Sequence, residues 1–230
     1  MAKVSPINAQ AHANTKIKQD PGFAHSQGQH LIPIVVHEFA PASQDTPIVF
    51  IKDSETGRFM AMSLVGLKPG ENVLVGEQWK GTYIPQVLRN YPLVVAKGKE
   101  EGQAILCLHQ DSPLISETEG EALFDENGEQ TQWCKKMAEQ VISSVEQNQI
   151  TQGYVQYLAE KQLIAPQTLN MNISGEQYSL NGLYVINEQA LNDLADETLL
   201  EMKKLGYLMP TYAALLSQQR VHNLARIKTA

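Results

Sequence analysis

Short apolar stretches divided by polar turn residues fill the first half of the chain. Residues 47–52 and 58–64 are two such stretches, and Asp53-Ser54-Glu55-Thr56-Gly57 between them is typical of a turn. Residues 93–96 and 104–108 repeat this arrangement around a second polar turn. Successive hairpins predict an antiparallel sheet, because parallel pairing needs a connection of about a dozen residues or more between the strands.

Apolar residues at helical spacing replace this pattern after residue 130. Thr131 is a suitable N-cap, since its hydroxyl can accept a hydrogen bond from the first turn of a helix. The apolar residues of this helix recur every four positions, at Trp133, Met137, Val141 and Val145. Thr151 predicts the start of a separate helix, and Pro166 predicts its end.

A short hairpin is predicted before the last helices. Leu169, Met171 and Ile173 alternate with polar residues ahead of a turn around Gly175. Asn187 and Asp196 are suitable N-caps for the helices that follow. Gly206 is suited to end a helix at its C-terminus. Pro210 can open the last helix, whose predicted inward-facing residues are Tyr212, Leu215, Leu216, Leu224 and Ile227.

These elements predict an α+β fold. An antiparallel, β-rich N-terminal half over residues 30–125 is expected to pack against a mainly helical C-terminal half over residues 130–230, which includes the small hairpin. Residues 1–29 offer few groups that could fill a core, so we expect a flexible N-terminal arm. Residues 30–230 then form the folded part, either as one compact unit or as two small domains that divide near residues 128–131.

Composition limits the classes of function. The 230 residues include 43% hydrophobic residues, as in ordinary globular proteins, and the net charge of −7 argues against non-specific nucleic-acid binding. No apolar run approaches the roughly 20 residues of a membrane helix, so membrane insertion is not expected. Residues 1–29 lack the apolar core of a secretory signal, which predicts a cytoplasmic protein. Cys107 and Cys134 are then expected to be reduced thiols.

The most distinctive candidate site is the aromatic and arginine group around residues 79–93. Trp79, Tyr83 and Tyr91 combine apolar rings with polar tips, and the guanidinium of Arg89 can bind a carboxylate or phosphate through two hydrogen bonds. These four residues are candidates for binding a small acidic ligand.

A structural role for Arg89 is the other possibility. A buried ion pair with Glu38 or Asp111 would stabilise the strand-turn-strand corner. Arg89→Ala would then cost about 3–5 kcal/mol, because the carboxylate would remain buried without its partner. A ligand-binding Arg89 should instead be exposed, and its loss should affect folding little.

Metal and cofactor motifs give weak indications only. His109-Gln110-Asp111 has the form of the first two ligands of an iron facial triad, but the later His222 lies in a predicted helix rather than on a sheet. The acidic run Asp125-Glu126-Asn127-Gly128-Glu129 does not have EF-hand spacing and suits a turn. Cys107 is expected to be a buried apolar residue of a strand. We therefore predict no metal site and no cofactor.

Several motifs resemble the bacterial SapC family. They are Trp79 followed by Tyr83-Ile84-Pro85, Leu88-Arg89-x-Tyr91-Pro92, Asp111-Ser112-Pro113, the run Gly120 to Glu129, and Gly182-Leu183-Tyr184-Val185-Ile186-Asn187-Glu188. The resemblance covers about residues 31–226, with Leu93 in place of an expected phenylalanine and Asn187 in place of an expected aspartate. The family's name implies a link to bacterial surface-layer proteins and assigns no catalytic residue.

Two classes of function remain open at this point. The resemblance implies a cytoplasmic binding or accessory protein linked to surface-layer or nutrient-uptake systems, with a protein partner or a small acidic ligand. The alternative is a small-molecule enzyme, in one version an iron-dependent oxygenase, with a pocket around Trp79, Tyr83, Arg89 and Tyr91. Whether the protein is an enzyme, and in which oligomeric state it acts, is left open by the residues.

Overall fold

A computed structural model describes residues 3–97 and 104–229 of the chain. Contacts divide the protein into two units. The first unit comprises residues 1–21 and 88–146, and the second comprises residues 22–87 and 147–230. Within the described residues, no helix combines the length and the apolar character needed to cross a bilayer.

The strands and helices follow one another along the described chain in an order that mixes both types. The strands are β1 Val4–Pro6, β2 Lys16–Ile17, β3 Leu31–Pro33, β4 Ile48–Lys52, β5 Phe59–Leu64, β6 Leu93–Lys97, β7 Ala104–His109, β8 Ile115–Ser116, β9 Glu121–Ala122, β10 Ile164–Ile173 and β11 Glu176–Ile186. The α-helices are α1 Ala9–His12, α2 Phe39–Ala42, α3 Gln86–Asn90, α4 Gln132–Glu160, α5 Glu188–Asn192, α6 Asp196–Leu205, α7 Leu208–Ser217 and α8 Val221–Thr229.

The first unit contains two small antiparallel sheets with strand orders β1-β7-β6 and β8-β2-β9. The pairing of β6 with β7 confirms the second predicted hairpin, although its polar turn lies outside the described residues. The helix cap at Thr131 is confirmed as well, since its Oγ1 accepts a hydrogen bond from Cys134 N at 3.1 Å. The core of this unit combines Leu93, Leu108 and Val141 with residues of both sheets.

Residues 3–29, where we expected a flexible arm, form regular elements in the structure. β1 pairs along its length with β7, from Val4 opposite His109 to Pro6 opposite Cys107. β2 pairs with both β8 and β9, and Ile17 is buried in the core of the first unit. The polar composition concealed these elements, because strands of two or three residues need few apolar side chains and gain their hydrogen bonds from distant partners.

The second unit is built on a five-stranded sheet with strand order β10-β11-β4-β5-β3, and all its pairs are antiparallel. The predicted hairpin at β4 and β5 is confirmed. Its turn is fixed by Asp53 Oδ1, which accepts hydrogen bonds from Thr56 N at 2.6 Å and from Thr56 Oγ1 at 2.7 Å. The same contacts lower the pKa of the Asp53 carboxyl.

The core of this unit joins the sheet to helices. Phe50 of β4 lies with Tyr154 of α4, Met202 of α6 and Ala214 of α7, and all four side chains are buried. The antiparallel sheets and the C-terminal helices together confirm the predicted α+β class.

Two details of the helical half differ from the prediction. Thr151 does not start a helix, because α4 runs without a break from Gln132 to Glu160. The Thr151 hydroxyl instead donates to Gln147 O at 2.7 Å and accepts from Val36 N at 2.8 Å. The hairpin is also longer than predicted, since β11 continues through a bulge near Gly182, whose φ is +76°.

The C-terminal helices confirm some of their predicted start and end points. Asp196 is the first residue of α6 rather than its N-cap, which is Ala195, and α7 begins at Leu208 rather than at Pro210. Asn187 caps α5 by accepting a hydrogen bond from Ala190 N, and Gly206 ends α6 with φ +74°. Tyr212 and Leu216 were expected to face the interior, but they are 43% and 70% exposed. The α7 sequence is apolar on more sides than its packing covers, so the periodicity did not identify its buried face.

Candidate functional site

A buried carboxylate organises the loop formed by residues 79–86 in the second unit. Glu38, 5% exposed, accepts three hydrogen bonds. Its Oε1 accepts from Tyr83 Oη at 2.8 Å and from Gln86 N at 2.7 Å, and its Oε2 accepts from Val35 N at 2.9 Å. These contacts connect the loop to the turn that precedes α2.

A second carboxylate, at a position that no sequence motif marks, holds the same loop. Asp45 Oδ2 accepts from Thr82 N at 2.6 Å and from Tyr83 N at 2.7 Å, and Thr82 Oγ1 donates to Asp45 Oδ1 at 2.9 Å. The loop lies 37 residues along the chain from Asp45, so no local pattern indicated the contact. Two carboxylates therefore satisfy backbone N–H groups that a loop cannot satisfy by itself.

Two of the four predicted ligand-binding residues meet in this loop. Trp79 Nε1 donates to Tyr83 O at 2.9 Å, and the indole packs edge-on against Phe23 with ring centroids 5.7 Å apart. The indole N–H and the Tyr83 hydroxyl thus both bond to protein groups. Such contacts hold the rings in place and explain their position without a ligand.

The other two predicted ligand-binding residues, Arg89 and Tyr91, belong to the first unit. Arg89 is exposed on α3. Tyr91 stacks on His109 with ring centroids 5.5 Å apart, and the peptide bond that follows Tyr91 is cis. Asp111 is exposed after β7, whereas Glu38 is buried in the second unit. A shared pocket of Trp79, Tyr83, Arg89 and Tyr91, and an ion pair of Arg89 with Glu38 or Asp111, stay predictions.

The acidic run that was considered as a metal site begins with an ordinary structural carboxylate. Asp125 Oδ1 accepts from Asn127 N and from Glu129 N at 2.9 Å each, which builds the turn. In the described ranges, no group of three or more His, Cys, Asp or Glu side chains could hold a metal ion. Cys107 is buried in β7, and burial raises the pKa of its thiol, which disfavours the reactive thiolate.

An apolar groove lies on the helical side of the second unit. Its volume is about 250 Å³. The 3₁₀ turn Val36–Glu38, Ala40 of α2, Ile150 of α4 and the junction of α6 with α7 form its walls. The lining residues are Val36, His37, Ala40, Ile150, Leu205, Gly206, Tyr207, Met209 and Pro210.

The α6–α7 junction creates this groove. Gly206 ends α6 in a left-handed conformation, and Tyr207 N donates to Met202 O at 2.8 Å. Tyr207 then packs edge-on against Tyr154 and Tyr157, with centroids 5.1 and 5.2 Å apart. Aromatic packing therefore holds Tyr207, one of the residues that line the groove, in place.

The rim of the groove presents apolar side chains to solvent. Met209 is 73% exposed, Leu205 is 49% exposed and Ile150 is 44% exposed. Lys203 and Lys204 precede Leu205 and are exposed too. No sequence motif marked these residues, although the density of apolar residues between 199 and 216 exceeds what one helix face can bury.

Comparison with known proteins identifies the family of the chain. No curated protein and no solved structure matches it. The family model described as SapC matches residues 7–224, which is nearly the whole chain. This match agrees with the motifs noted in the sequence, and it extends into the N-terminal residues that form α1 and β2. The chain belongs to the SapC family.

Proposed function

We propose that this protein is a binding or accessory protein that docks a segment of a partner protein in the apolar groove of the second unit. The observation that carries this proposal is the exposure of Met209, Leu205 and Ile150 around a groove in which aromatic packing holds Tyr207 in place. Exposed apolar groups that surround a concave surface are typical of protein-binding sites.

The shape and chemistry of the groove favour an amphipathic helix or turn as the docked segment. Such segments insert a few apolar side chains into a groove and leave their polar face in water. Met209 suits this role, because its flexible thioether side chain adapts to different apolar partners. Covering Met209 and Leu205 would remove apolar area from water, at about 25 cal/mol per Å².

Charge favours an acidic partner segment. Lys203 and Lys204 are exposed beside Leu205, and His37 is exposed in the groove lining. Acidic residues next to the apolar anchors would be attracted to these lysines, which speeds association and makes it sensitive to salt. Binding should therefore weaken as the ionic strength rises.

The biological setting is also part of the proposal. A link to surface-layer or nutrient-uptake systems rests on what the family resemblance implies. A cytoplasmic location is supported by Cys107 and Cys134, which are both buried free thiols, as expected in a reducing compartment.

A matched pair of variants tests the docking proposal. Met209→Asp places a charge in the groove lining, whereas Leu216→Asp places one on an equally exposed position of α7 that does not line the groove. Both positions are on the surface, so far-UV circular dichroism and melting temperature should stay near those of the wild type.

Affinity capture from native lysate then compares the three proteins. We expect at least one protein that the wild type and Leu216→Asp recover and that Met209→Asp loses. If every recovered protein binds Met209→Asp as well as it binds the wild type, the groove is not the docking site.

A second candidate function is binding of a small acidic ligand through Arg89, with or without catalysis. The exposure of Arg89 favours this candidate, since a guanidinium that binds a ligand must be accessible from solvent. Calorimetric titration with succinate checks this candidate. Arg89→Lys should abolish binding, because lysine cannot make the planar two-point contact. Metal analysis of protein purified without chelators checks the oxygenase version, which requires bound iron.

A further inference from the structure

A cleft lined by side-chain amides lies at one end of the β10–β11 hairpin. Its volume is about 530 Å³, within the range of small-molecule sites. The end of the hairpin, α5 and the turn after α7 form its walls. The polar lining residues are Gln167, Asn187, Glu188, Gln189, Asn192 and Gln218.

Contacts with the protein hold several of these amides in place. Asn187 Oδ1 accepts from Ala190 N at 3.1 Å, and Gln189 Nε2 donates to Asp193 Oδ2 at 2.7 Å. Gln218 Nε2 donates to Ile186 O at 3.4 Å. Each contact engages one polar atom of a carboxamide that has two, so the same group can also serve a ligand. Amides held in this way lose less side-chain freedom when they bind.

The lining selects a neutral, hydroxyl-rich ligand. A carboxamide offers both a donor and an acceptor, which matches the donor and acceptor character of a hydroxyl group. Among the described residues that line the cleft, none is Lys, Arg or His, so an anion finds no opposite charge there. Ala165 and Val185 supply apolar surface for the C–H groups of a sugar ring.

The geometry points to a binding site for a neutral saccharide in this cleft. Glu188 is the one carboxylate of the described lining, whereas glycoside hydrolysis ordinarily uses a pair of carboxylates, so the site binds its ligand without cleaving it. The described lining also lacks an aromatic ring for stacking, which limits affinity to the order of a millimolar Kd.

Titration followed by ¹⁵N–¹H NMR tests the site with three probes: maltotriose, N,N′,N″-triacetylchitotriose and the tripeptide Gly-Asn-Gly, acetylated and amidated at its ends so that it carries no charge. We expect saturable shifts with at least one trisaccharide, confined to the backbone amides of residues 165, 167, 185–192 and 218. The proposal is overturned if neither trisaccharide gives saturable shifts up to about 20 mM, well above the expected Kd. Binding of the tripeptide alone would also overturn it, and would assign the cleft to peptides.

Variants make the test specific to the amides. Asn187→Asp keeps the N-cap of α5, since aspartate caps as well as asparagine, but it removes an amide donor. Asn192→Leu removes a second amide from the lining, and Asn181→Leu is the control, because Asn181 is exposed on β11 outside the lining. The first two should weaken binding about three- to tenfold, as for the loss of one hydrogen bond, and the control less than twofold. Unchanged affinity in Asn187→Asp and Asn192→Leu would refute a site built on amides.

Discussion

Removal of the Glu38 carboxylate should destabilise the second unit strongly, because three donors depend on it. The donors are Val35 N, Gln86 N and Tyr83 Oη, at 2.7 to 2.9 Å from the two carboxylate oxygens. A buried donor without a partner costs about 1–3 kcal/mol. Val35 is buried, whereas Tyr83 and Gln86 are half-buried, so water can partly replace the lost acceptor for these two.

The expected cost differs between two substitutions. Glu38→Ala removes all three acceptor contacts, and we expect a loss of about 3–5 kcal/mol in the free energy of unfolding. Glu38→Gln keeps an oxygen for Tyr83 Oη and Gln86 N, but its amide N–H₂ then faces the N–H of Val35. One donor loses its partner, so the expected loss is about 1–3 kcal/mol.

Tryptophan fluorescence can report on the second unit alone. The chain has two tryptophans, Trp79 in the second unit and Trp133 in the first. In a Trp133→Phe background, urea unfolding monitored by fluorescence follows the surroundings of Trp79. With an m-value of about 2 kcal/mol per M, Glu38→Ala should lower the urea midpoint by roughly 2 M. Glu55→Ala is the control, because Glu55 is exposed in the β4–β5 turn.

An unchanged midpoint would refute this reasoning. If Glu38→Ala unfolds at the same urea concentration as Glu55→Ala, the carboxylate does not hold the loop of residues 79–86. If Glu38→Gln is as damaging as Glu38→Ala, the negative charge of Glu38, rather than the number of acceptors, determines the stability.

Three further predictions concern separate features. Gly206→Ala should lower the free energy of unfolding by about 1–2 kcal/mol, because φ is +74° at this position. Gly153→Ala, in the interior of α4 where the added methyl group meets no other atom, should instead raise the free energy of unfolding by about 0.5–1 kcal/mol. Thermal melts of the two variants test this difference. Burial, and then the hydrogen bond to Glu201, raise the pKa of Tyr157 to about 12, from about 10 in the unfolded chain. The folded protein therefore favours the neutral phenol, and the stability that Tyr157 contributes is lost as the pH rises from about 10 to 12. Glu201→Gln should lower the pKa of Tyr157 but keep it above 10, because burial still raises it. Absorbance at 295 nm measures this titration, and Tyr157→Phe identifies the part of the signal that belongs to Tyr157. Arg89→Ala and Arg89→Lys should each change the free energy of unfolding by less than about 1 kcal/mol, since Arg89 is exposed. A large drop in melting temperature in both variants would contradict this and support the predicted ion pair of Arg89.

Local chemistry made several elements predictable from the sequence. Asp53 and the residues around it have the composition of a turn, and the side chain of Asp53 satisfies the turn's own backbone. Thr131, Asn187 and Gly206 act within one helical turn of their positions, so their capping roles follow from residue type. The α+β class followed from these local elements.

Features that depend on distant partners could not be predicted. Asp45 holds a loop far along the chain, and the short strands of residues 3–29 exist because β7, β8 and β9 pair with them. Thr151 has the residue type of an N-cap, yet its hydroxyl accepts from Val36 N and the helix continues through it. The groove depends on which face of α7 is buried, and periodicity cannot decide this when most faces are apolar.

Cross-linking from the groove tests the docking proposal most directly. A photo-reactive p-benzoylphenylalanine replaces Met209, and in a control it replaces Met60, which is 43% exposed on β5 outside the groove. The experiment is done in the cells that produce the protein. A docked partner predicts a discrete protein adduct from position 209, absent from position 60 and reduced when unlabelled wild-type protein is co-expressed. No adduct from position 209, or the same adducts from both positions, would contradict a partner seated in the groove.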